Sequence, residues 1–297
     1  MILINDPKDA PAGPKIVAIG SFDGVHLGHR ALLARALAAA RERRLPLLVY
    51  TFDPPTKVFT QGAPVLSTLS EKAELLAEAG AEIVLAVPFN AEFAKRSKEA
   101  FLSELAELEP EVFVVGEDFR FGRGREGGPR DLEAIAPTTV VPLLSLGGAP
   151  VKSSRIRALL EAGDVEAARH LLGYPYRVRG VVVPGDRRGR TLGFPTANLA
   201  VPRQKALPPG VFAVWVNHKG RRIGGVANVG TRPTFGGDAT RRLEVHLLEP
   251  SPELYGDELA IEFVARLRPE RAFPDQEALR RQIEADIAAA RKRLYSR

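Results

Sequence analysis

The sequence predicts an α/β half followed by an all-β half: a parallel sheet with helices on both sides, then a small antiparallel β-barrel with a C-terminal helix. Three observations carry this. Between residues 15 and 146, apolar strand-like runs alternate with runs of helical spacing, an order that implies a parallel sheet covered on both faces. From 177 to 268 the pattern changes to short alternating segments separated by turns rich in Gly and Pro. After residue 275 helical spacing returns. The change of period at "YPYRVRG" places a domain boundary near Gly173 to Tyr176, giving domains 1–173 and 174–297.

Taken in order, "KIVAIG" (15–20) reads as a buried strand, and residues 28–44 carry Leu32, Leu33, Ala36, Leu37 and Ala40 at helical spacing. "LPLLVYTF" (45–52) is a second strand. "TLSEKAELLAEAG" (68–80) is a helix with Thr68 and Glu71 in capping-box positions and Gly80 as its stop. "EIVLAVPF" (82–89), "SKEAFLSELAEL" (97–108) and "EVFVVG" (111–116) continue the alternation, and "TTVVPLLSL" (138–146) reads as one further strand. A helical pair follows, "SSRIRALLEAG" (153–163) and "DVEAARHLLG" (164–173). The β half contains "YRVRGVVV" (176–183), "GVFAVWVNH" (210–218), "RRIGGVANV" (221–229), "RRLEVHLLE" (241–249) and "DELAIEFVARL" (257–267), with His218-Lys219-Gly220 as a hairpin turn. The last helix turns Ala278, Leu279, Ile283, Ile287 and Ala290 inward.

The chain has no cysteine, which excludes disulfides, thiol chemistry and cysteine metal sites and fits a cytoplasmic protein. No apolar run approaches the roughly 20 residues of a membrane helix, and "MILINDPKDAPAG" has neither the basic region nor the apolar core of a secretory signal. The net charge of +6 is scattered over the chain and admits phosphorylated small molecules as partners. Nucleic acid is not expected: a single-strand binder needs aromatic stacking platforms beside its basic groove, and the β half carries the chain's one tryptophan and few other exposed-looking aromatics. The oligomeric state is left open.

Two of the five histidines, His26 and His29, sit in "GSFDGVHLGHRALL", where a strand hands over to a helix N-terminus. Such a terminus offers unpaired N–H groups and partial positive charge to a phosphate. A spacing of three puts both rings on one face of the first turn, and Gly20, Gly24 and Gly28 let a ligand approach the backbone. The implied chemistry is nucleotidyl transfer, driven by positioning and electrostatics. The plainer alternative is two surface histidines capping a helix. In the β half, Thr196 and Asn198 of "RRGRTLGFPTANL" lie two apart and point to the same side of an extended segment. Their oxygens suit a hard cation such as Mg²⁺ bridging nucleotide phosphates, while Gly185, Gly189 and Gly193 free loop amides and Arg190 adds charge. The plainer alternative is a Pro-Thr turn with an Asn cap.

"GSFDGVHLGH" resembles the G-x-F-D-G-x-H-x-G-H signature of nucleotidyltransferases related to class I aminoacyl-tRNA synthetases. Within that group, "TFDPP" (51–55), "VVGEDFRFGRGREG" (114–127) and "VKSSRIR" (151–157) are similar to the bifunctional riboflavin kinase/FAD synthetase (FMN adenylyltransferase) family of bacteria. "PTAN", "GVANVGTRPTFGG" (225–237) and "LEVHLLEP" (243–250) follow the riboflavin kinase pattern, and the resemblance spans roughly residues 14 to 295. It implies a Rossmann-like nucleotidyltransferase domain that adenylylates FMN to FAD with release of pyrophosphate. It further implies a barrel that phosphorylates riboflavin to FMN, with ATP as co-substrate and Mg²⁺ assisting. By the same resemblance, His26 and His29 stabilise the transition state, and Gly20, Phe22, Ser153, Ser154 and Arg157 contact ATP. Glu244 is the base for the ribityl hydroxyl, Gly185 and Arg190 face ATP phosphates, and Asp118, near the nucleotides, and Arg268 contact flavin. The family's usual I-S-S-T-R-I-R is altered here: Lys152 replaces the first serine and Ser154 the threonine. The competing reading is a single-activity nucleotidyltransferase with a non-catalytic β appendage, against which "PTAN" and Glu244 argue. An RNA-binding protein and a tRNA synthetase are weaker alternatives; the chain lacks K-M-S-K-S.

Overall fold

The computed structural model describes residues 1–185, 193–232, 240–250 and 254–296, and the chain divides into two compact units, Met1–Ser153 and Ser154–Arg297. In the first unit, six parallel strands lie in the order β1-β4-β3-β2-β5-β6. They are β1 (Ile2–Ile4), β2 (Lys15–Ile19), β3 (Leu47–Asp53), β4 (Ile83–Pro88), β5 (Pro110–Gly116) and β6 (Thr138–Val141). β2 is buried along its whole length, as its unbroken apolar run requires of a strand covered on both faces. Lys15 joins it by donating from Nζ to the carbonyls of Gly13 (2.6 Å) and Leu108 (3.0 Å). The chain runs from β2 out to β4 on one side and returns to β5 and β6 on the other. The crevice beyond the carboxyl ends of β2 and β5 is therefore the topological switch point.

Six helices belong to this unit: α1 (Leu27–Arg43), α2 (Thr56–Gln61), α3 (Leu69–Glu78), α4 (Ala91–Ala94), α5 (Lys98–Glu107) and α6 (Pro129–Leu132). The capping box at Thr68 and Glu71 is present, with both reciprocal bonds. "TTVVPLLSL" is not one strand: β6 stops at Val141, before Pro142, and a separate two-residue strand, β7 (Ser145–Leu146), pairs with β8 (Ala149–Pro150). Proline has no N–H to donate to a ladder, which explains the break. β1, an edge strand too short to show a period, was not signalled by the pattern.

The second unit starts with α7 (Ser153–Glu161, whose first residue closes the preceding unit) and α8 (Val165–Leu172). A closed antiparallel barrel follows in the order β10-β13-β12-β11-β14-β9. Its strands are β9 (Arg177–Val183), β10 (Ala197–Ala200), β11 (Gly210–His218), β12 (Arg221–Arg232), β13 (Thr240–Leu247) and β14 (Glu258–Arg268). The turn between β11 and β12 has Lys219 and Gly220 at positive φ (46° and 79°), the hairpin geometry expected there. Helix α9 (Gln276–Tyr295) packs on β11, β12 and β14. The change of sequence period marks 173/174, whereas the compact units divide earlier, because α7 and α8 are tied to the barrel. Arg241 of β13 makes a bidentate pair with Glu161, and Arg266 of β14 donates to the carbonyl of Ala162.

Candidate active sites

The loop from β2 to α1 is held in a conformation that few residues tolerate. Phe22 and Val25 take φ of 45° and 34°, and Gly24 takes 80°. For a bulky and a β-branched residue this costs of order 1–3 kcal/mol each and persists only where the surroundings over-determine it. Here they do. Asp23, 2 % exposed, accepts at Oδ1 from the N–H groups of Leu66 (3.0 Å) and Ser67 (3.1 Å). Gly24 N–H donates to Ser67 Oγ, Thr51 Oγ1 donates to the Ser21 carbonyl, and Ser153 Oγ donates to the Asp23 carbonyl.

This loop delivers the two histidines. His26 is the N-cap of α1, its Nδ1 accepting from the His29 N–H at 3.3 Å, so its ring folds over the first turn. The His29 ring stacks on it with centroids 3.6 Å apart at 14°, and both imidazoles thus share one face, as their spacing predicts. Gly28 is required by this fold-over: a Cβ there would lie 3.2 Å from His26 Cε1 and 3.4 Å from the Val151 carbonyl. Phe22, expected at ATP, has a fully buried side chain; its ring lies beneath Gly20 and meets His29 edge-on at 5.3 Å. The Phe22 ring thus braces the imidazole, and the residue as a whole is buried. Burial, then the neighbouring His26, then Lys72 hold His29 well below the usual histidine range. Its Nδ1 is buried and has no hydrogen-bond partner among the described residues.

Asp118 lies just beyond β5, at the same carboxyl edge of the sheet, and is exposed. Lys152, the departure from the family pattern, pairs with it at 3.3 Å. Ser154 and Arg157 belong to the second unit, where α7 buries Ile156 and Leu160 and leaves Ser154 exposed and Arg157 half-buried.

In the barrel, alternation sends Leu199, Ala227, Val229, Leu243 and Val245 into the interior. The residues between them face outward, and register aligns three of them across adjacent strands: Asn198 of β10 opposite Glu244 of β13, and Glu244 opposite Asn228 of β12. Asn198 and Glu244 are both half-buried. Gly185 is the seat of Asn198: a Cβ at Gly185 would fall 2.7 Å from Asn198 Oδ1 and nearer still to its amide nitrogen. Thr196 is exposed just before β10. His246 packs edge-on against Phe194 at 5.8 Å and hydrogen-bonds through Nδ1 to the Pro195 carbonyl at 2.9 Å, tying the "FPTAN" segment to β13. Among the described residues no group of three His, Cys, Asp or Glu side chains is arranged to hold a metal. The neutral oxygens of Thr196 and Asn198 beside one carboxylate instead suit an ion that keeps several waters and nucleotide oxygens. Arg190 and Gly189 lie outside the described residues.

The comparisons decide the family. A riboflavin kinase family model matches residues 172–294 and an FAD synthetase model matches residues 8–155. The bifunctional riboflavin kinase/FMN adenylyltransferase of Escherichia coli K12 is 40% identical over 97% of this chain and 96% of its own length. That of Bacillus subtilis is 38% identical over 91% and 90%. The chain belongs to the bifunctional riboflavin kinase/FMN adenylyltransferase family. A solved structure described as a macrolide-efflux protein from Streptococcus pneumoniae also aligns, with 30% identity, a TM-score of 0.88 and 99% coverage of both chains. No helix among the described residues of this chain is long and apolar enough to cross a membrane.

Two residues, Lys72 and Asn228, and the pairing of Arg268 escaped the sequence reading. Lys72, in the first turns of α3, is fully buried and donates from Nζ to the Phe52 carbonyl at 2.6 Å. Asn228 joins the Asn198–Glu244 row only through strand register. Arg268, expected at flavin, commits its guanidinium to Asp286 of α9 through Nε and a terminal nitrogen at 2.9–3.1 Å, and donates to the Pro269 carbonyl. Beside this pair, Arg271, Phe273, Pro274, Arg281 and Gln282 line an open cavity of about 420 Å³.

Proposed function

We propose that the two constellations perform two ATP-dependent steps: the barrel phosphorylates riboflavin to FMN, and the sheet unit adenylylates FMN to FAD. The domains that carry them are 174–297 and 1–173. The reading rests chiefly on both constellations being present, each on the element its chemistry needs: stacked imidazoles at a helix N-terminus on the switch point, and a row of side-chain oxygens with a carboxylate at its centre.

In adenylyl transfer, an FMN phosphate oxygen attacks the α-phosphorus of ATP and the bond to the β-phosphate breaks, releasing pyrophosphate. No protein nucleophile is needed. The α1 N-terminus and the backbone of Gly20 and Gly28 receive the triphosphate, with Phe22 acting at the ATP site by bracing His29 from beneath. His26 and His29 donate to charge developing on the reacting oxygens. Ser153, Ser154 and Arg157 hold phosphate oxygens, and Asp118 orients the nucleotide. In the kinase step Glu244 accepts the proton of the ribityl hydroxyl as that oxygen bonds to the γ-phosphorus and ADP leaves. Thr196 and Asn198 would hold Mg²⁺, which when bound would neutralise phosphate charge. Gly185 and Arg190 frame the ATP side. Flavin sits in the cavity beside Phe273, with Arg268 shaping that wall through its pairing. Riboflavin, FMN and ATP are the partners, in the cytoplasm and without nucleic acid.

The test is incubation with riboflavin, ATP and Mg²⁺ followed by chromatographic separation of flavins. His29→Ala abolishes FAD formation and leaves FMN formation nearly intact. Glu244→Ala does the reverse when riboflavin and FMN are supplied separately. Loss of both activities from either change in a folded chain overturns the two-site reading.

A further inference from the structure

An ion pair joins the two lips of the crevice beyond β2 and β5. On the β5 lip, the Phe119 N–H donates to the Gly116 carbonyl at 3.0 Å, a turn that stands Asp118 over the end of the strand. Asp118 Oδ1 lies above Gly116, where a Cβ would come within 3.4 Å of it. Its Oδ2 accepts from Lys152 Nζ at 3.3 Å. On the other lip, Lys152 is clamped through both of its neighbours. Val151 is 2 % exposed, donates its N–H to the Leu144 carbonyl at 2.8 Å, and sets its own carbonyl against Gly28 in the first turn of α1. Ser153 Oγ donates to the Asp23 carbonyl at 3.0 Å. The backbone of Lys152 is thus fixed to the loop and helix turn that carry His26 and His29, and its side chain reaches to Asp118.

This pair does little for the fold. The Lys152 and Asp118 side chains are 40% and 56% exposed, and ion pairs so open to solvent add almost nothing to stability. At 3.3 Å the bond is also longer than the roughly 2.7–2.9 Å of a strong charge-assisted one. The nearby charged groups are more firmly committed. Glu117 accepts from the Leu143 N–H at 2.9 Å, and Arg120 donates to the carbonyls of Glu117 and Phe119. Lys152 is therefore the ammonium at this crevice that exchanges partners at small cost, and Asp118 is a carboxylate that opposes any phosphate brought to the α1 N-terminus.

We propose that Lys152 is an ATP-binding residue of the adenylyl-transfer site: its ammonium leaves Asp118 and donates to a phosphate oxygen of the triphosphate. This rests on adenylyl transfer at the two histidines. The choice of ATP over FMN follows from attachment. Val151 and Ser153 seat Lys152 on the helix turn and loop that receive the triphosphate, whereas Asp118 stands on the opposite lip, on the flavin side. A triphosphate also carries more charge than the FMN phosphate, so it competes better with one carboxylate for the ammonium. The serine usual in the family at this position brings no charge, and a lysine brings a compact cation on a flexible stem. Lys152 holds ATP alike in the ground state and the transition state, so its contribution falls on KM rather than on kcat.

The experiment measures FAD formation from FMN by the full chain, varying ATP and FMN in turn. Lys152→Ser raises KM for ATP by about tenfold at low ionic strength, as the loss of a charge-assisted bond does, and leaves kcat and KM for FMN within about twofold. The retained kcat reports an intact sheet unit. Asp118→Asn removes the competing carboxylate and keeps the shape of the side chain, so it lowers KM for ATP by about two- to fivefold. The opposite signs are the signature, because a lysine that merely held Asp118 in place would make both changes raise KM for ATP. Both effects shrink in high salt. An unmoved KM for ATP in Lys152→Ser, a loss of kcat in its place, a rise confined to KM for FMN, or a rise of KM for ATP in Asp118→Asn each overturns the proposal. A wild-type chain that makes no FAD removes the assigned activity and the proposal with it, whereas an active wild-type chain beside an unchanged Lys152→Ser removes the proposal alone.

Discussion

Gly185 is the most direct handle on the barrel site. An added Cβ would lie 2.7 Å from Asn198 Oδ1, against the 3.4 Å at which ordinary contact begins, and would press still harder on the amide nitrogen. Gly185→Ala therefore moves the Asn198 carboxamide by roughly 1 Å, and a misplacement of that size costs on the order of 10²-fold in rate. The overpacking itself costs about 1–3 kcal/mol. The barrel stays folded at that cost because its interior, built on Leu243, Val245, Ala227 and Val229, is untouched. The assay is FMN formation from riboflavin across a Mg²⁺ series, with FAD formation from supplied FMN measured on the same preparation. The expected result is kinase kcat/KM lower by about two decades, partly restored by raised Mg²⁺, and an unchanged adenylyl transfer. Unchanged kinase activity in a folded Gly185→Ala chain refutes the argument that Asn198 must sit where Gly185 lets it.

Gly28→Ala puts a methyl 3.2 Å from His26 Cε1, so the ring must tilt off its cap. FAD formation falls by about tenfold, a shift of a few tenths of an ångström, with FMN formation intact. Asp286→Ala strands Arg268, whose side chain is 16% exposed beside a carboxylate at 6%, and costs about 3–5 kcal/mol of barrel stability. Trp215, the only tryptophan, lies on β11 and packs edge-on against Tyr295 of α9 at 5.2 Å, so its fluorescence during urea unfolding reads this loss from the barrel alone.

What the sequence disclosed and what it withheld divide along a physical line. The sheet, the barrel and the two histidines were legible because each is a local pattern: a period, a cap, a spacing of three. The two departures in the first unit have local causes too, Pro142 ending β6 and β1 being too short for a period. The features of the sites that no local pattern shows are all cases where a remote segment decides. Thr196 and Asn198 could be paired by spacing, but Asn228 enters the row only through the β12–β13 register. Lys72 occupies a helix that reads as amphipathic, where a lysine is ordinarily assigned to solvent. Only the arrival of Asp23, Asp53 and the Phe52 carbonyl from other elements reverses that assignment. Arg268 fits a flavin contact by position in its motif, and only the fold shows that Asp286 of α9 engages its guanidinium. Charge in a sequence thus states what a residue can bind, and the fold chooses the partner.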